Sequence, residues 1–391
     1  MKATRLCFLL GTGILTGGCD GEQSAQSPPF ESKWAVSAQP RVVIGGHDER
    51  QGYLLHAVAG ATRLTDGRIV VADQGSGTIS FYDPQGIHLL TVGGKGGGPG
   101  EYQLIIQIRR LPGDTLLVLS RQPGLTWLSP EGRYLRSARL DVSSLTRQPC
   151  RMTEEWHLLG DGSILSVLED NFSGSHCPPR PENPWRQSGL IARSVSLDGH
   201  FDTLGIFPAT ERNSPNYRAY GKRLVVAFGQ DRVYSGDTGA SEIPVLDFGG
   251  DTLDILSSPF EPVAIPAEAK QADVRRSTLP DGTVRSFNRY DYPDYYPLFG
   301  RLLADELGNL WVMAYPQLRE PISSWRLERL YGFVVEEGGA RWRVLDPNGK
   351  TIAEVRTPPG FFPLEVGRDH ILGVHKDEFD VQSVQIYALD R

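Results

Sequence analysis

The densest run of recognition chemistry is Phe287-Asn288-Arg289-Tyr290-Asp291-Tyr292-Pro293-Asp294-Tyr295-Tyr296. Four tyrosines and one arginine in ten residues can form a contact surface, because Tyr offers stiff apolar area with a polar tip. Such a surface stacks on a sugar or grips a peptide. Tyr295 and Tyr296 stand nearest the strand that follows and are expected to pack. Arg289, Tyr290 and Tyr292 are expected to meet the partner. Arg121, Asp73 and Glu101 are further candidates, each where an apolar run gives way to a turn or crossing.

Catalytic signatures are otherwise absent. Gly93 to Tyr102 looks like a phosphate cradle in isolation, but it joins strand to strand, where a phosphate loop needs a helix N-terminus. Gly349-Lys350-Thr351 ends like a phosphate loop, yet Val344 stands where the earlier glycine is required. There is no G-x-S-x-G elbow and no H-E-x-x-H pair. His56, His157 and His375 read as ordinary polar or half-buried residues.

The net charge of −7 comes without a long basic run, so nucleic acid is not an expected partner. With 44 glycines, 28 prolines and alternating apolar residues, the composition suits an all-β chain with many turns. Residues 1–19 have the form of a lipoprotein signal peptide. Lys2 and Arg5 precede the short apolar run Leu6 to Leu15, which ends in Leu15-Thr16-Gly17-Gly18-Cys19. Cys19 is the expected lipidation site. Residues 20–39 read as a flexible tether. Cys7 lies inside the signal, leaving Cys150 and Cys177. In an exported compartment two such cysteines suggest one disulfide.

Residues 40–391 repeat one phrase. A D-x-G-like turn precedes an apolar strand in RIVVAD, TLLVLS, SILSVLE, NLWVMAY and HILGVHK. A later strand closes in a Pro/Asp-Gly turn in FYDPQG, WLSPEG, SVSLDG and VLDPNG. Six units of four strands follow, at 53–94, 101–142, 154–207, 217–256, 297–357 and 360–391. The last unit lacks its outer strand. Ile44-Gly45-Gly46 copies Val92-Gly93-Gly94, so Arg41 to Gly46 is expected to supply it. The expected fold is therefore all-β, a six-bladed β-propeller whose last blade is closed by the N-terminal strand. Inserts are expected at 170–187, 251–297 and 316–339. Within the second, Pro266 to Arg276 has the pattern of a short helix.

The glycine crossing, the strand phrase Arg68 to Asp73 with Phe81 to Gly86, and the series Asn309 to Val312, Trp342 to Asp346 and Ile371 to Val374 resemble the six-bladed propellers of the NHL and TolB-like group. They are similar above all to exported bacterial proteins of that shape. The resemblance implies a binding fold rather than one particular chemistry. In such blades, the crossings between blades and the loops between second and third strands share one rim, the top. Asp73, Arg121, Glu101, Tyr315 and all three inserts belong there. Cys150 and Cys177 fall in neighbouring top-rim loops, where a bridge is feasible and would stabilise by roughly 3 kcal/mol.

The expected role is thus a lipid-anchored module of the bacterial envelope, periplasmic or surface-facing. It would bind or scaffold a peptide, protein or glycan through its top face, and it would meet the membrane through Cys19. No resident cofactor is expected. The alternative is a metal-dependent hydrolase or lactonase at the channel mouth, similar to the gluconolactonase-like propellers. It would use Ca²⁺ with Glu101, Asp73, Glu169 and Asp170. Against it stand apolar inner strands such as HAVAGATRL and LIIQIRRL.

Overall fold

A computed structural model describes residues 34–48, 50–120, 124–139, 151–159, 163–170, 186–194, 200–213, 216–217, 220–271, 276–278, 284–286, 292–317 and 338–391. Each blade is a four-stranded antiparallel meander. Short strands β1 (Ala35–Val36) and β2 (Val42–Gly45) open the chain. Blade one holds β3 (Val58–Arg63), β4 (Ile69–Asp73), β5 (Thr78–Tyr82) and β6 (His88–Gly93). Blade two holds β7 (Ile105–Arg110), β8 (Leu116–Ser120), β9 (Gly124–Leu128) and β10 (Tyr134–Arg139). Blade three holds β11 (Arg151–Leu158), β12 (Ile164–Asp170), β13 (Arg186–Ser194) and β14 (Phe201–Asn213), with β15 (Asn216–Tyr217) turned back on β14.

Blade four holds β16 (Leu224–Phe228), β17 (Val233–Asp237), β18 (Glu242–Leu246) and β19 (Thr252–Ser257). After it come α1 (Ala267–Gln271) and the hairpin of β20 (Arg276–Thr278) and β21 (Val284–Ser286). Blade five holds β22 (Phe299–Ala304), β23 (Leu310–Ala314), β24 (Arg341–Leu345) and β25 (Thr351–Arg356). The last blade holds β26 (Phe361–Val366), β27 (His370–Lys376) and β28 (Gln382–Asp390).

Strand β2 pairs antiparallel with β28, Ile44 opposite Val384, and completes the last blade as expected. The chain is ordered earlier than its composition implies. Within the expected tether, β1 pairs with Leu389 and Asp390, and the Trp34 ring lies 6.1 Å from Trp311. A single large aromatic next to a paired strand is enough to dock this part of the tether.

The turns explain the repeat. At Asp83, Asp247, Asp305 and Asp346 the carboxylate accepts the backbone N–H groups two and four residues on. The residue three on is Gly with positive φ: Gly86, Gly250, Gly308 and Gly349. An Asp that hydrogen-bonds its own turn, followed by a residue free to take φ > 0, fixes this reversal and the register of both strands.

The core is distributed between blades. Among the described residues, clusters of buried apolar side chains occupy all six junctions. The junction of the last blade with the first joins Val42 and Ile44 to Ala61, Ile69, Val71 and Tyr82, and to Leu372, Val384 and Ile386. The ring is closed by packing as well as by hydrogen bonds. Each apolar strand face is covered by the neighbouring blade, which is why the repeats fold only together.

Candidate functional site: the top rim and the central channel

Every inner strand (β3, β7, β11, β16, β22, β26) starts at the top and ends at the bottom. The described bottom turns are short, from three residues (367–369) to five (305–309). The long segments 171–185, 258–298 and 315–340 all begin and end at the top.

The top-rim candidates have unequal roles. Asp73 ends β4 and is buried. Its carboxylate accepts the N–H groups of His56, Ala57, Gly75 and Ser76 and the Ser76 hydroxyl, at 2.6–3.3 Å. Those oxygens brace the crossing into blade one. Glu101 is exposed and accepts the Gly98 N–H at 2.9 Å, which shapes the glycine crossing. That crossing needs glycine: Gly93 has φ +88°, and a Cβ there would lie 2.9 Å from the buried Tyr102 ring. Arg121, Arg289, Tyr290, Cys19, Cys150 and Cys177 lie outside the described residues.

Tyr292, expected to meet a partner, is half-buried with its ring 6.3 Å from Tyr220. Tyr296 is 4% exposed and meets Tyr220 edge-on at 5.0 Å, while Tyr315 stands 6.0 Å beyond. Together with Ile265 and Ala269 of the α1 region, these rings form a small core of their own. Tyr295, expected to pack, is 51% exposed. An isolated bridge between Ala264 and Tyr295 holds the segment extended, and successive residues of an extended chain face opposite ways. Lys222 Nζ donates to the Tyr295 carbonyl at 2.7 Å and ties the segment to the blade-four entry.

The axial channel is a cavity of about 710 Å³ lined by residues of all six inner strands. Its polar lining was not expected from the inner-strand sequences. Arg109, Arg110, Arg301, Asp305, Glu306 and Glu365 all reach it. The one signal was the Arg-Leu doublet that ends the first two inner strands, Arg63-Leu64 and Arg110-Leu111.

The bottom mouth is bridged. Arg110 of blade two stands 3.4 Å from Glu306 of blade five, across the ring, and 3.6 Å from Asp114. Gln230 donates to the Glu306 carbonyl at 3.2 Å. Beside this bridge, Thr62 donates to Glu365 at 2.7 Å, and His370 lies 3.5 Å from Glu365 and 2.9 Å from Asp369. Arg63 stands 3.6 Å from Asp369. Burial is the largest single influence on His370 and favours the neutral ring. The attractions of Glu365 and Asp369 together outweigh it, so its pKa stands above the ordinary histidine value.

That shift has a stability consequence. A histidine whose folded pKa is raised stabilises the fold below its unfolded value, near 6.5, and the contribution fades as pH rises through the higher folded value. The thermal midpoint advantage of the native protein over a His370→Gln variant should therefore shrink between pH 6 and pH 8.5. A difference that is flat or grows with pH would contradict the assignment.

A second buried cluster joins the last two blades. The Asp305 carboxylate accepts Asn309 Nδ2 at 2.9 Å, Trp311 Nε1 at 3.2 Å and Arg391 Nη1 at 2.9 Å. Arg391 also donates to the carbonyls of Gly367 and Arg368, and lies 4.5 Å over the Trp34 ring. Among the described residues no group of three His, Cys, Asp or Glu side chains stands close enough to hold a metal ion. The side chains of Glu169 and Asp170 lie outside the described ones.

No family model and no curated protein matches the chain. Solved structures do. A member of the DUF4221 family from Bacteroides vulgatus superimposes with a TM-score of 0.55 at 13% identity, covering 93% of this chain and 100% of that one. An exported protein from Bacteroides fragilis gives 0.48 at 13% identity, over 91% and 95%. A gluconolactonase from Xanthomonas campestris gives 0.40 at 14% identity, over 86% and 87%. At these identities the likeness is one of fold. With its six sheets, six inter-blade cores and an N-terminal strand that completes the last sheet, the chain is a six-bladed β-propeller.

Proposed function

We propose that this protein is exported, lipid-anchored at Cys19, and binds a peptide, protein or glycan partner of the cell envelope on its top face. The observation that carries this reading is the asymmetry of the rims. The described turns that join strands within a blade at the bottom are tight, whereas the long segments between strands are rooted at the top. Binding groups concentrate on loops held by a rigid scaffold, and long connections in a compact domain usually serve such a role. The tyrosine core of blade four's exit gives that rim a rigid support, and Tyr295 and Phe379 are exposed. The N-terminal apolar run ending at Cys19 supports export and anchoring.

Photo-cross-linking in intact cells tests it. A benzophenone side chain placed at Tyr295 or Phe379, on the top, should trap a partner. The same group at Ile87 or Leu307, in exposed bottom turns, should not. Adducts from the bottom positions, or none from the top, would overturn the reading.

A further inference from the structure

The channel carries chemistry that the top-face reading does not use. Its carboxylates are all engaged. Asp305 is held by Arg391, Asn309 and Trp311. Glu306 meets Arg110, and Glu365 accepts from Thr62 beside His370. One cation is not engaged in this way. Arg109 lines the channel on β7, and among the described residues no acceptor comes within hydrogen-bonding distance of its guanidinium. Glu365 acts on it only through space, while burial draws its pKa down. A partly desolvated charge without a hydrogen-bonded partner is costly, and a bound anion offsets that cost.

The walls around it are apolar. Ile106, Phe228, Phe362 and Leu364 are half-buried along the channel. Arg301 donates to the Pro363 carbonyl at 2.8 Å with its guanidinium 3.6 Å over the Phe362 ring, so it adds fixed positive charge to the wall. The Arg110–Glu306 bridge straps the bottom mouth. About 710 Å³ is the size of a small-molecule site, and such sites pair apolar walls with a few convergent polar groups. A planar guanidinium matches a carboxylate with two parallel hydrogen bonds.

We propose that the channel binds an organic carboxylate with an apolar body, which pairs its head group with Arg109. This site is separate from the partner surface at Tyr295 and Phe379, so either proposal stands or falls without the other.

Calorimetric titration of the purified protein with octanoate, octanol and acetate tests it. Octanoate should bind, and octanol, which lacks the charge, and acetate, which lacks the body, should each bind at least tenfold more weakly. Arg109→Gln should weaken octanoate at least tenfold, and Arg109→Lys, which keeps the charge but not the planar fork, should fall between Arg109→Gln and the native protein. The thermal midpoint of Arg109→Gln should be at or above that of the native protein, because the change removes an uncompensated charge. Absence of octanoate binding, equal binding of octanol, or an unchanged octanoate affinity in a folded Arg109→Gln variant would overturn the proposal. Should Arg109→Gln not fold, the octanoate-to-octanol ratio on the native protein and the Arg109→Lys affinity decide it.

Discussion

Asp305→Ala should lower the unfolding free energy by about 3–5 kcal/mol, the range for breaking a buried ion pair by removing one partner. The carboxylate is fully buried, and five donors converge on it. They are the N–H groups of Leu307 and Asn309, the Asn309 amide, the Trp311 indole and Arg391. Removing the acceptor orphans all five in a site water does not reach. It also frees Arg391, which links β28 to the turn at Gly367 and lies over Trp34. One side chain therefore ties together the bottom turn of blade five, the end of the last blade and the start of the chain. Asp305→Asn should cost less, because it keeps an acceptor for the turn amides and loses mainly the charge pairing with Arg391. Urea unfolding of both variants measures the difference. A loss below about 1 kcal/mol for Asp305→Ala would mean that this cluster is a bystander.

Ile44→Ala should cost about 3 kcal/mol, within the range for truncating a buried Ile. Ile44 has no exposed surface and packs in the junction that joins the last blade to the first. On the same strand, Val43 faces outward, so Val43→Ala should change stability by less than about 0.5 kcal/mol. A strand that truly closes the ring gives this alternation. A loosely attached N-terminal segment gives two small values instead.

The architecture was legible because the repeat carries its own register. The Asp that hydrogen-bonds its turn and the Gly at positive φ recur at fixed spacing, so each strand pair announces itself locally. Ring closure was legible for a related reason, since Ile44-Gly45-Gly46 repeats the end of blade one. The channel was not legible. Arg109, Glu306 and Glu365 belong to three different blades and converge only because six inner strands meet on one axis. No local pattern of any one strand encodes that convergence. Tyr295, exposed, and Tyr292, half-buried, departed from their expected roles for another reason. They sit in a segment whose facing is set by a single bridge to Ala264, not by the blade repeat. Asp73 stood out as a candidate contact at the end of an apolar run, yet its sequence position alone could not reveal four backbone donors aimed at it. Trp34 lay in a stretch whose composition reads as tether, and the pairing of β1 with β28, with Trp34 beside Trp311, makes that stretch part of the last blade.

Both the rim assignment and the channel depend on the N-terminal strand completing the last blade, and native-state hydrogen exchange tests that most directly. Peptides covering Val42–Gly45 and Gln382–Asp390 should be protected to a similar degree and lose protection together as urea is raised, because the two strands share one ladder and one core. Fast exchange of Val42–Gly45, with Gln382–Asp390 still protected, would show an open last blade and contradict the closed ring.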